Sequence, residues 1–512
     1  MKTSGLEDVL PLSPLQEGLL FHALAEEPET DSAGADIYTT QLVLDLTGPL
    51  DAPRLRAAAA ALLRRHANLR AGFRQRANGQ PIQVVHREVP LPWQETDLTR
   101  LPAGERDDVL RAILADERAH RFDLAAPPAL RFRLVRREER LHSLVLTNHH
   151  ILWDGWSAPV LQRELLTLYA GHGDPAALPP VSPYRTYLAW LARQDRAASE
   201  EAWRRALDGL AEPTLVAPGP ERKPVQPEYR TVELPEELTA RLVAGARADG
   251  LTLNTLLQGV WAMVLRELTG RTDVVFGSVV SGRPPEISGI ETMVGLFINT
   301  VPVRVRLDPD LPLTEALGRL QDEQALLLDH QQLRLGDVQR IAGAGDLFDT
   351  VLTVENYPGG EAAPPSYDGI RVAQVSGQDA AHYPLRLIAG LVGGRLLVRL
   401  EYRPDLYEPA AAEAVLDHVV RLVEAVADRS GLTVSQLPRL SDDARALLPG
   451  RAAPAPRTHP PTPRPRRGGP AGQRAPPRSR RSCAACSPRS SGTGTSPPTT
   501  TSSTGAGIRS PR

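Results

Sequence analysis

The chain has 512 residues, of which 41% are hydrophobic and 23% are charged, so it can bury more than one core and is too polar for a membrane or fibrous protein. It has no run of 18 apolar residues, and its first 14 residues lack the pattern of a secretory signal, so we expect a cytoplasmic protein. Residues 451–512 hold 12 arginines and no lysine or acidic residue, which leaves 47 basic against 61 acidic residues in the rest of the chain. That acidic body provides no positive field for nucleic acid.

The predicted elements alternate between amphipathic helices and short strands from residue 7 to about residue 440. Helical periodicity covers residues 54–66 and 236–246. Runs of aliphatic and β-branched residues predict strands, and these runs lie at residues 41–46, 130–135, 144–147, 274–280 and 396–402. The alternation predicts an α/β fold.

Gly, Asp and Pro in residues 171–183 indicate a connection between two halves of similar element content. We therefore predict an N-terminal lobe over residues 7–175, and a bridging segment with a second lobe over residues 176–440. Residues 441–512 are predicted to be a linker and a disordered tail. The last 62 residues hold 13 prolines and no Leu, Val or Phe, so they cannot offset a backbone entropy of about 1–2 kcal/mol per residue.

The two cysteines of the chain, Cys483 and Cys486, both lie in this tail. The body therefore has no disulfide, thiolate metal site or cysteine nucleophile. A CxxC pair without two further ligands is not a zinc site, and we expect no metal. The abrupt change to Arg, Pro, Ser and Thr is what a shifted reading frame would give, and a genuine flexible tail is the alternative.

The most informative segment is LVLTNHHILWDGWS, residues 144–157. If the strand continues through the two histidines, their side chains point in opposite directions, so one is buried and the other can face a cavity. Asp154 follows His150 by four residues, and Gly155 suits a tight turn that brings the carboxylate back under the strand end. Taken alone, adjacent histidines are more often structural than catalytic.

Other short sequence segments, here called blocks, accompany the HHxxxDG motif. In residues and in order they resemble those of the condensation domains of nonribosomal peptide synthetases, which are relatives of chloramphenicol acetyltransferase. The blocks span about 430 residues and are LPLSPLQEGLLFH at 10–22, RHANLRAGF at 65–73, Trp203 in EEAWRRAL, SGRP at 281–284, VGLFINTVPVRV at 294–305, VENYP at 354–358 and a weak block near 402–406.

The resemblance implies two acetyltransferase-like lobes in a V-shaped pseudodimer with a tunnel between them. It implies an acyltransferase that forms peptide bonds. The amine of one carrier-bound aminoacyl thioester attacks a donor acyl or peptidyl thioester on a second carrier protein. Phosphopantetheine arms of the carriers present both substrates, and no cofactor is bound covalently to the chain itself. A thioester is already activated, so we expect positioning and one proton transfer to supply the catalysis.

The resemblance assigns the reacting imidazole to His150, as a general base or as a positioning group. The amide of Gly155 is a candidate donor to the oxyanion. We expect Asp154 to be structural and to form a buried salt bridge with Arg70, with a triad-like orienting role as the alternative. His149 is expected to be a packed or hydrogen-bonded neighbour.

Trp156 is expected either to wall the tunnel or to pack in the core. Ser157 either donates to the substrate arm or, as we favour, caps the following helix. Candidates for the tunnel wall or for a crossover between lobes are Ser281, Arg283, Asn299, Glu355 and Asn356. For Ser281, Arg283 and Asn299 we favour a bridging loop that closes the tunnel floor.

The first block is similar to that of the subtype that accepts a D-configured donor, which implies an epimerization domain upstream. The block begins about ten residues after Met1, so we expect the donor carrier protein to act in trans, and the acceptor carrier to lie downstream. No membrane or nucleic-acid partner is expected. The alternatives are an epimerization domain, a free-standing acyltransferase of the same fold, or a non-catalytic docking or gating module.

Overall fold

A computed structural model describes residues 5–25, 36–219, 225–343, 345–355, 366–378, 382–428 and 431–449. The predicted site residue Asn356, both cysteines and the predicted disordered tail lie outside these ranges. Within them, no helix is long and apolar enough to cross a membrane.

The first half of the chain alternates strands with helices. Its elements are β1 (Leu6–Leu10), α1 (Pro14–Ala25), β2 (Thr39–Thr47), α2 (Ala52–Arg65), β3 (Ala71–Gln75), β4 (Pro81–His86), β5 (Trp93–Asp97), α3 (Ala103–Ala119), β6 (Leu130–Arg136), β7 (Leu141–His149) and α4 (Ser157–Ala170).

Two helices then lead into the second half. The elements are α5 (Arg185–Leu191), α6 (Arg196–Leu207), β8 (Glu228–Glu233), α7 (Glu236–Ala248), α8 (Leu253–Thr269), β9 (Asp273–Val280), β10 (Asn299–Arg306), α9 (Leu313–Ala325), α10 (Leu335–Ile341), β11 (Thr350–Glu355), β12 (Arg371–Gln378), β13 (Leu385–Val392), β14 (Arg395–Tyr402), α11 (Pro409–Asp428) and α12 (Asp442–Ala446).

Local sequence sets the ends of these helices. α2 begins after Asp51, whose carboxylate accepts the N–H of Arg54 at 3.0 Å, as expected for an N-cap aspartate. α8 begins after Thr252, which caps the N–H of Thr255, and ends at Gly270 in the left-handed conformation.

Each half is built on its own main sheet and core, and the first half also holds a three-stranded sheet in the order β1-β4-β3. The first half has a five-stranded sheet in the order β12-β2-β7-β6-β5, and the second has a six-stranded sheet in the order β10-β9-β11-β13-β14-β8. Helices α2 and α4 contribute to the core of the first half, and α7, α8 and α11 contribute to that of the second. The predicted α/β class is confirmed.

Strand β12 connects the two halves, because it follows β11 in the chain but pairs with β2 of the first sheet. The pairing is antiparallel and sets Val375 opposite Leu44. Just before β12, Asp368 forms a salt bridge with Arg54 of α2 at 2.6 Å. The first sheet therefore takes its edge strand from the second half of the chain.

Candidate active site

The first histidine of the HHxxxDG motif ends strand β7 and lies in the interior. Pairing of β7 with β2 sets His149 opposite Thr39, and the imidazole is fully buried. Its Nδ1 accepts the N–H of Ile151 at 3.1 Å, so the proton of the neutral ring is on Nε2. That atom lies 3.2 Å from Oδ2 of Asp36, close enough for an ion pair but not aligned as a hydrogen bond.

The contact with His149 affects the pKa of the Asp36 carboxyl group. Burial raises the pKa of Asp36, but the close contact with the His149 ring, together with the N–H of Tyr38 and the charge of Arg121, outweighs burial and lowers the pKa. An ionised Asp36 therefore favours the Nε2–H form of His149 and holds that ring in place.

The second histidine, His150, is only half-buried. Its backbone N–H donates to the carbonyl of Tyr38 at 2.8 Å, and its Nδ1 lies 3.0 Å from the carbonyl oxygen of Trp153. A carbonyl oxygen only accepts, so Nδ1 carries the proton and the basic lone pair of the neutral ring is on Nε2. Nε2 has no hydrogen-bond partner in the described part of the chain, so it is available to a substrate proton.

The carboxylate of Asp154 is fully buried and accepts four hydrogen bonds from protein donors. Oδ1 accepts the N–H of Ser157 at 2.9 Å and its hydroxyl at 2.8 Å. The same oxygen accepts Nη2 of Arg283 at 3.0 Å, and Oδ2 accepts the N–H of Phe297 at 3.0 Å. With these donors, Asp154 is not the group that orients His150.

The predicted salt bridge between Asp154 and Arg70 is wrong, because Arg283 of the second half is the partner of Asp154. Arg70 is buried at the edge of the first half and pairs with Glu7 at 2.6 Å. The remaining guanidinium contacts of Arg70 are to backbone carbonyls, those of Leu63, Arg64, His86 and Arg87. The sequence prediction paired Asp154 with Arg70, which lies in the same half, and did not identify Arg283 of the second half as the partner.

Arg283 was predicted to lie in the tunnel wall or a crossover, and it makes the crossover contact. Besides Asp154, its guanidinium donates to the carbonyls of Ile290 at 2.6 Å and Met293 at 3.0 Å. It also lies 3.9 Å from the ring centroid of Phe297. Burial lowers the pKa of Arg283, and the charge of Asp154 opposes that shift.

The predicted helix-capping role of Ser157 is wrong, because no N–H of α4 donates to its hydroxyl in the described part of the chain. Its hydroxyl instead accepts Nη2 of Arg283 at 3.0 Å and the N–H of Gly295 at 3.2 Å, and contacts Asp154 and the carbonyl of Gly295. The carboxylate of Asp154 caps the N–H of Ser157 instead. Ser157 is therefore fixed inside the junction of the two halves.

The other predicted site residues have separate positions. Gly155 is half-buried, and its N–H has no partner among the described residues. Trp156 is half-buried and donates from Nε1 to the carbonyl of Glu291 at 3.1 Å. Ser281 is exposed, and Glu355 is half-buried at the end of β11.

Asn299 is buried and structural, because its amide donates to the carbonyls of Gln331 at 2.7 Å and Leu333 at 2.8 Å. It fixes the loop before α10 against the start of β10. Its amide nitrogen is occupied by these two bonds.

Two groups of contacts escaped the sequence prediction. The VGLF part of the block at 294–305 supplies both Gly295 and the N–H of Phe297 to Asp154 and Ser157, and its presence in a shared block was the available signal. Tyr38 and Asp36 contact the two histidines from the segment before β2, and no spacing in the sequence indicated either.

Comparisons with known proteins agree on one family. The model of the family described as condensation domain matches residues 6–448. Bacitracin synthase 3 of Bacillus licheniformis is 30% identical, over 86% of this chain and 7% of the relative. Surfactin synthase subunit 3 of Bacillus subtilis is 31% identical, over 86% of this chain and 35% of the relative. The chain thus spans a minor part of these relatives.

Solved structures show the same fold. The first condensation domain of the calcium-dependent antibiotic synthetase, in complex with a substrate analogue, matches with a TM-score of 0.69 at 21% identity, over 85% of this chain and all of that one. The X-domain in its complex with OxyB from teicoplanin biosynthesis matches with a TM-score of 0.71 at 23% identity, over 85% of this chain and 97% of that one. At these identities the likeness establishes the two-lobed α/β fold.

Proposed function

Because the chain belongs to the condensation-domain family of nonribosomal peptide synthetases, we propose that it joins a donor acyl or peptidyl thioester to the amine of an aminoacyl thioester, with His150 as the reacting imidazole. The family's reaction is amide formation between carrier-bound substrates. The observation that carries the assignment to His150 is the hydrogen bond from Nδ1 to the carbonyl of Trp153, which in the neutral ring places the basic lone pair on Nε2.

The reaction requires one proton to move. The amine nitrogen of the acceptor attacks the thioester carbonyl carbon, the C–N bond forms, and the C–S bond breaks. Nε2 of His150 accepts the proton that the amine loses and can return it to the released sulfur. General-base help of this kind contributes about 10² to 10⁴-fold to the rate.

The amide of Gly155 is the proposed donor to the oxyanion that forms on the thioester oxygen. The support for this role is that its N–H lacks a protein partner in the described part of the chain and that it lies in the same loop as His150. A backbone donor fixed in advance stabilises charge that develops only in the transition state.

Asp154, Ser157 and Arg283 are proposed to position this loop rather than to react. Their contacts are to one another and to the segment at Gly295, so the loop is held from the opposite half of the molecule. His149 has the same role from within the strand, through Asp36. Trp156 lies beside the junction and is a candidate for its wall.

The partners and the donor stereochemistry follow from the family and the first sequence block. We infer that carrier proteins deliver both substrates on phosphopantetheine arms, and that the donor is D-configured, which requires an epimerization domain upstream. The support for the donor stereochemistry is the sequence LSPLQEGLLFH at residues 12–22.

A non-catalytic docking module is the second candidate, because the X-domain in complex with OxyB has the same fold. Fold alone does not distinguish the two functions, but the open Nε2 of His150 favours catalysis. A docking module has no use for an imidazole with a fixed tautomer at the junction.

Purified carrier proteins loaded with a D- or L-aminoacyl donor and an L-aminoacyl acceptor test the proposal, with the product detected by intact-protein mass spectrometry. We expect dipeptidyl product with the wild type, more from the D donor, and little with His150→Ala. His120→Ala is the matched control, since His120 is 67% exposed. Absence of product from the folded wild type with both donors would favour the docking module.

A further inference from the structure

A second group of aromatic and imidazole side chains lies beside the candidate site. It consists of His22 from α1, Tyr38 before β2, and His382 and Tyr383 before β13. The ring centroids of His382 and Tyr383 are 4.0 Å apart, those of His22 and His382 are 5.4 Å apart, and those of Tyr38 and His382 are 6.3 Å apart.

Within this group, one hydrogen bond joins the two halves of the molecule. The hydroxyl of Tyr38 lies 2.9 Å from Nδ1 of His382, and either group can donate. Tyr38 leads into the first sheet, and His382 leads into β13 of the second. This link shares no residue with the Asp154–Arg283 salt bridge.

Tyr38 also contacts the backbone of the candidate imidazole. Its carbonyl accepts the N–H of His150 at 2.8 Å, and its ring centroid lies 6.3 Å from that of His149. A displacement of Tyr38 therefore moves the acceptor that fixes the backbone of His150.

We propose that His382 is a positioning residue, which holds Tyr38 from the second half of the molecule and thereby sets the place of His150 in the site. The inference rests on the proposed function of His150. With the Asp154–Arg283 pair, it gives the reacting loop two separate attachments to the opposite half, one at each end of the HHxxxDG motif.

The hydrogen bond between Tyr38 and His382 does not depend on a charge. Burial, with smaller contributions from the nearby His22 and Arg403, lowers the pKa of His382 to about 3, so the ring is neutral at physiological pH. A neutral imidazole bonds a tyrosine hydroxyl whichever of the two donates. The bond therefore needs no charge on either partner.

The test compares Tyr38→Phe, His382→Phe, the double variant and His382→Asn in the carrier-loaded condensation assay. An ordinary hydrogen bond corresponds to a factor of about three to ten, so we expect each phenylalanine variant to lower kcat by that factor with KM unchanged. The double variant should be no slower than the slower single variant, since both remove the same bond. His382→Asn, whose amide occupies the place of Nδ1, should recover most of the rate.

Tyr229→Phe is the matched control, because Tyr229 is 53% exposed on β8, and it should retain the wild-type rate. A second readout needs no catalysis: amide hydrogen exchange at His150 should be faster in Tyr38→Phe and in His382→Phe than in the wild type. Wild-type kcat and exchange in both single variants, or losses that multiply in the double variant, would overturn the inference. Loss of product in the wild type itself would refute the proposed function, and the exchange rates would still decide the role of His382.

Discussion

Asp154 shares its sequence motif with the candidate imidazole, yet its contacts are all to groups that hold the fold. A carboxylate whose side chain is 0% exposed, paired with an arginine 4% exposed, leaves one charge orphaned if the other is removed. A carboxylate in such a motif can orient a base or attach a loop to the fold, and the motif alone does not distinguish the two. The contacts of Asp154 are those of a residue that attaches a loop.

Asp154→Ala should therefore lower the free energy of unfolding by about 3–5 kcal/mol, measured by urea denaturation. Asp116→Ala, at a carboxylate 63% exposed, should change it by less than about 0.5 kcal/mol. Asp154→Leu combined with Arg283→Met should cost less than Asp154→Ala, because no buried charge is left. An Asp154→Ala protein as stable as the wild type would contradict the structural role assigned to the Asp154–Arg283 pair.

A second residue-scale effect concerns His418 of α11, which is 1% exposed and has no partner for either ring nitrogen among the described residues. Burial, with a contribution from Arg421, lowers its pKa from 6.5 to about 4, against the opposing charge of Glu267 and with smaller contributions from Arg266 and Arg445. The folded state keeps this ring neutral, whereas the unfolded state binds a proton below about pH 6.5. Stability is therefore lost as the pH falls from about 6.5 to about 4.

His418→Leu should remove this loss, which is on the order of 3 kcal/mol over that interval, and should leave the protein at least as stable at pH 7. The measurement is the free energy of unfolding at several pH values between 4 and 7. His120→Leu, at an exposed histidine, should keep the wild-type pH dependence. An unchanged pH dependence in His418→Leu would show that the unpartnered ring does not govern acid stability.

At the scale of elements, the loop after β9 has to bring Arg283 to Asp154. Gly282, the residue before Arg283, has a φ of +59°, and a Cβ at this position would overlap the carbonyl oxygen of Phe297. Both the left-handed backbone and the close approach require glycine here. The SGRP block thus has a physical reason for its glycine as well as for its arginine.

Gly250→Ala is a matched control for Gly282→Ala, because Gly250 has a φ of +67° and no atom within 4 Å of the added Cβ. Strain alone should cost Gly250→Ala about 1–2 kcal/mol. Gly282→Ala should cost at least about 2 kcal/mol more in thermal or urea unfolding, since its Cβ meets backbone. Equal costs would mean that the loop can move away from Phe297 freely.

Elements were predictable from the sequence where periodicity was strong. The strand predicted at residues 144–147 lies within β7, and the helix predicted at 54–66 matches α2 to within two residues at each end. The partner of Asp154 was not predictable, because Arg70 and Arg283 are both arginines of shared blocks and only the three-dimensional path of the chain decides between them. Tyr38 and His382 are 344 residues apart, and no local pattern records such a pairing.

For the whole molecule, the main consequence is that the two halves are attached at several separate places. β12 completes the first sheet, Arg283 enters the HHxxxDG loop, and His382 contacts Tyr38. The backbone N–H of His150, the proposed reacting group, bonds the carbonyl of Tyr38, and Asp154 of the same loop bonds Arg283, so the position of His150 depends on both halves.

The two sheets should accordingly unfold in one transition. Hydrogen exchange of peptides from β7 and from β13, followed through a urea titration, should give the same midpoint within error. A lower midpoint for one sheet, with the other still protected, would show that the halves are independent and that the attachments contribute little.

The most direct test of the central claim is the single-turnover rate of amide formation by His150→Ala under saturating loaded carriers. Loss of the base at Nε2 should lower this rate constant by about 10² to 10⁴-fold, with the unfolding transition unchanged because His150 is only half-buried. A variant that forms the amide at the wild-type rate would contradict the assignment of His150.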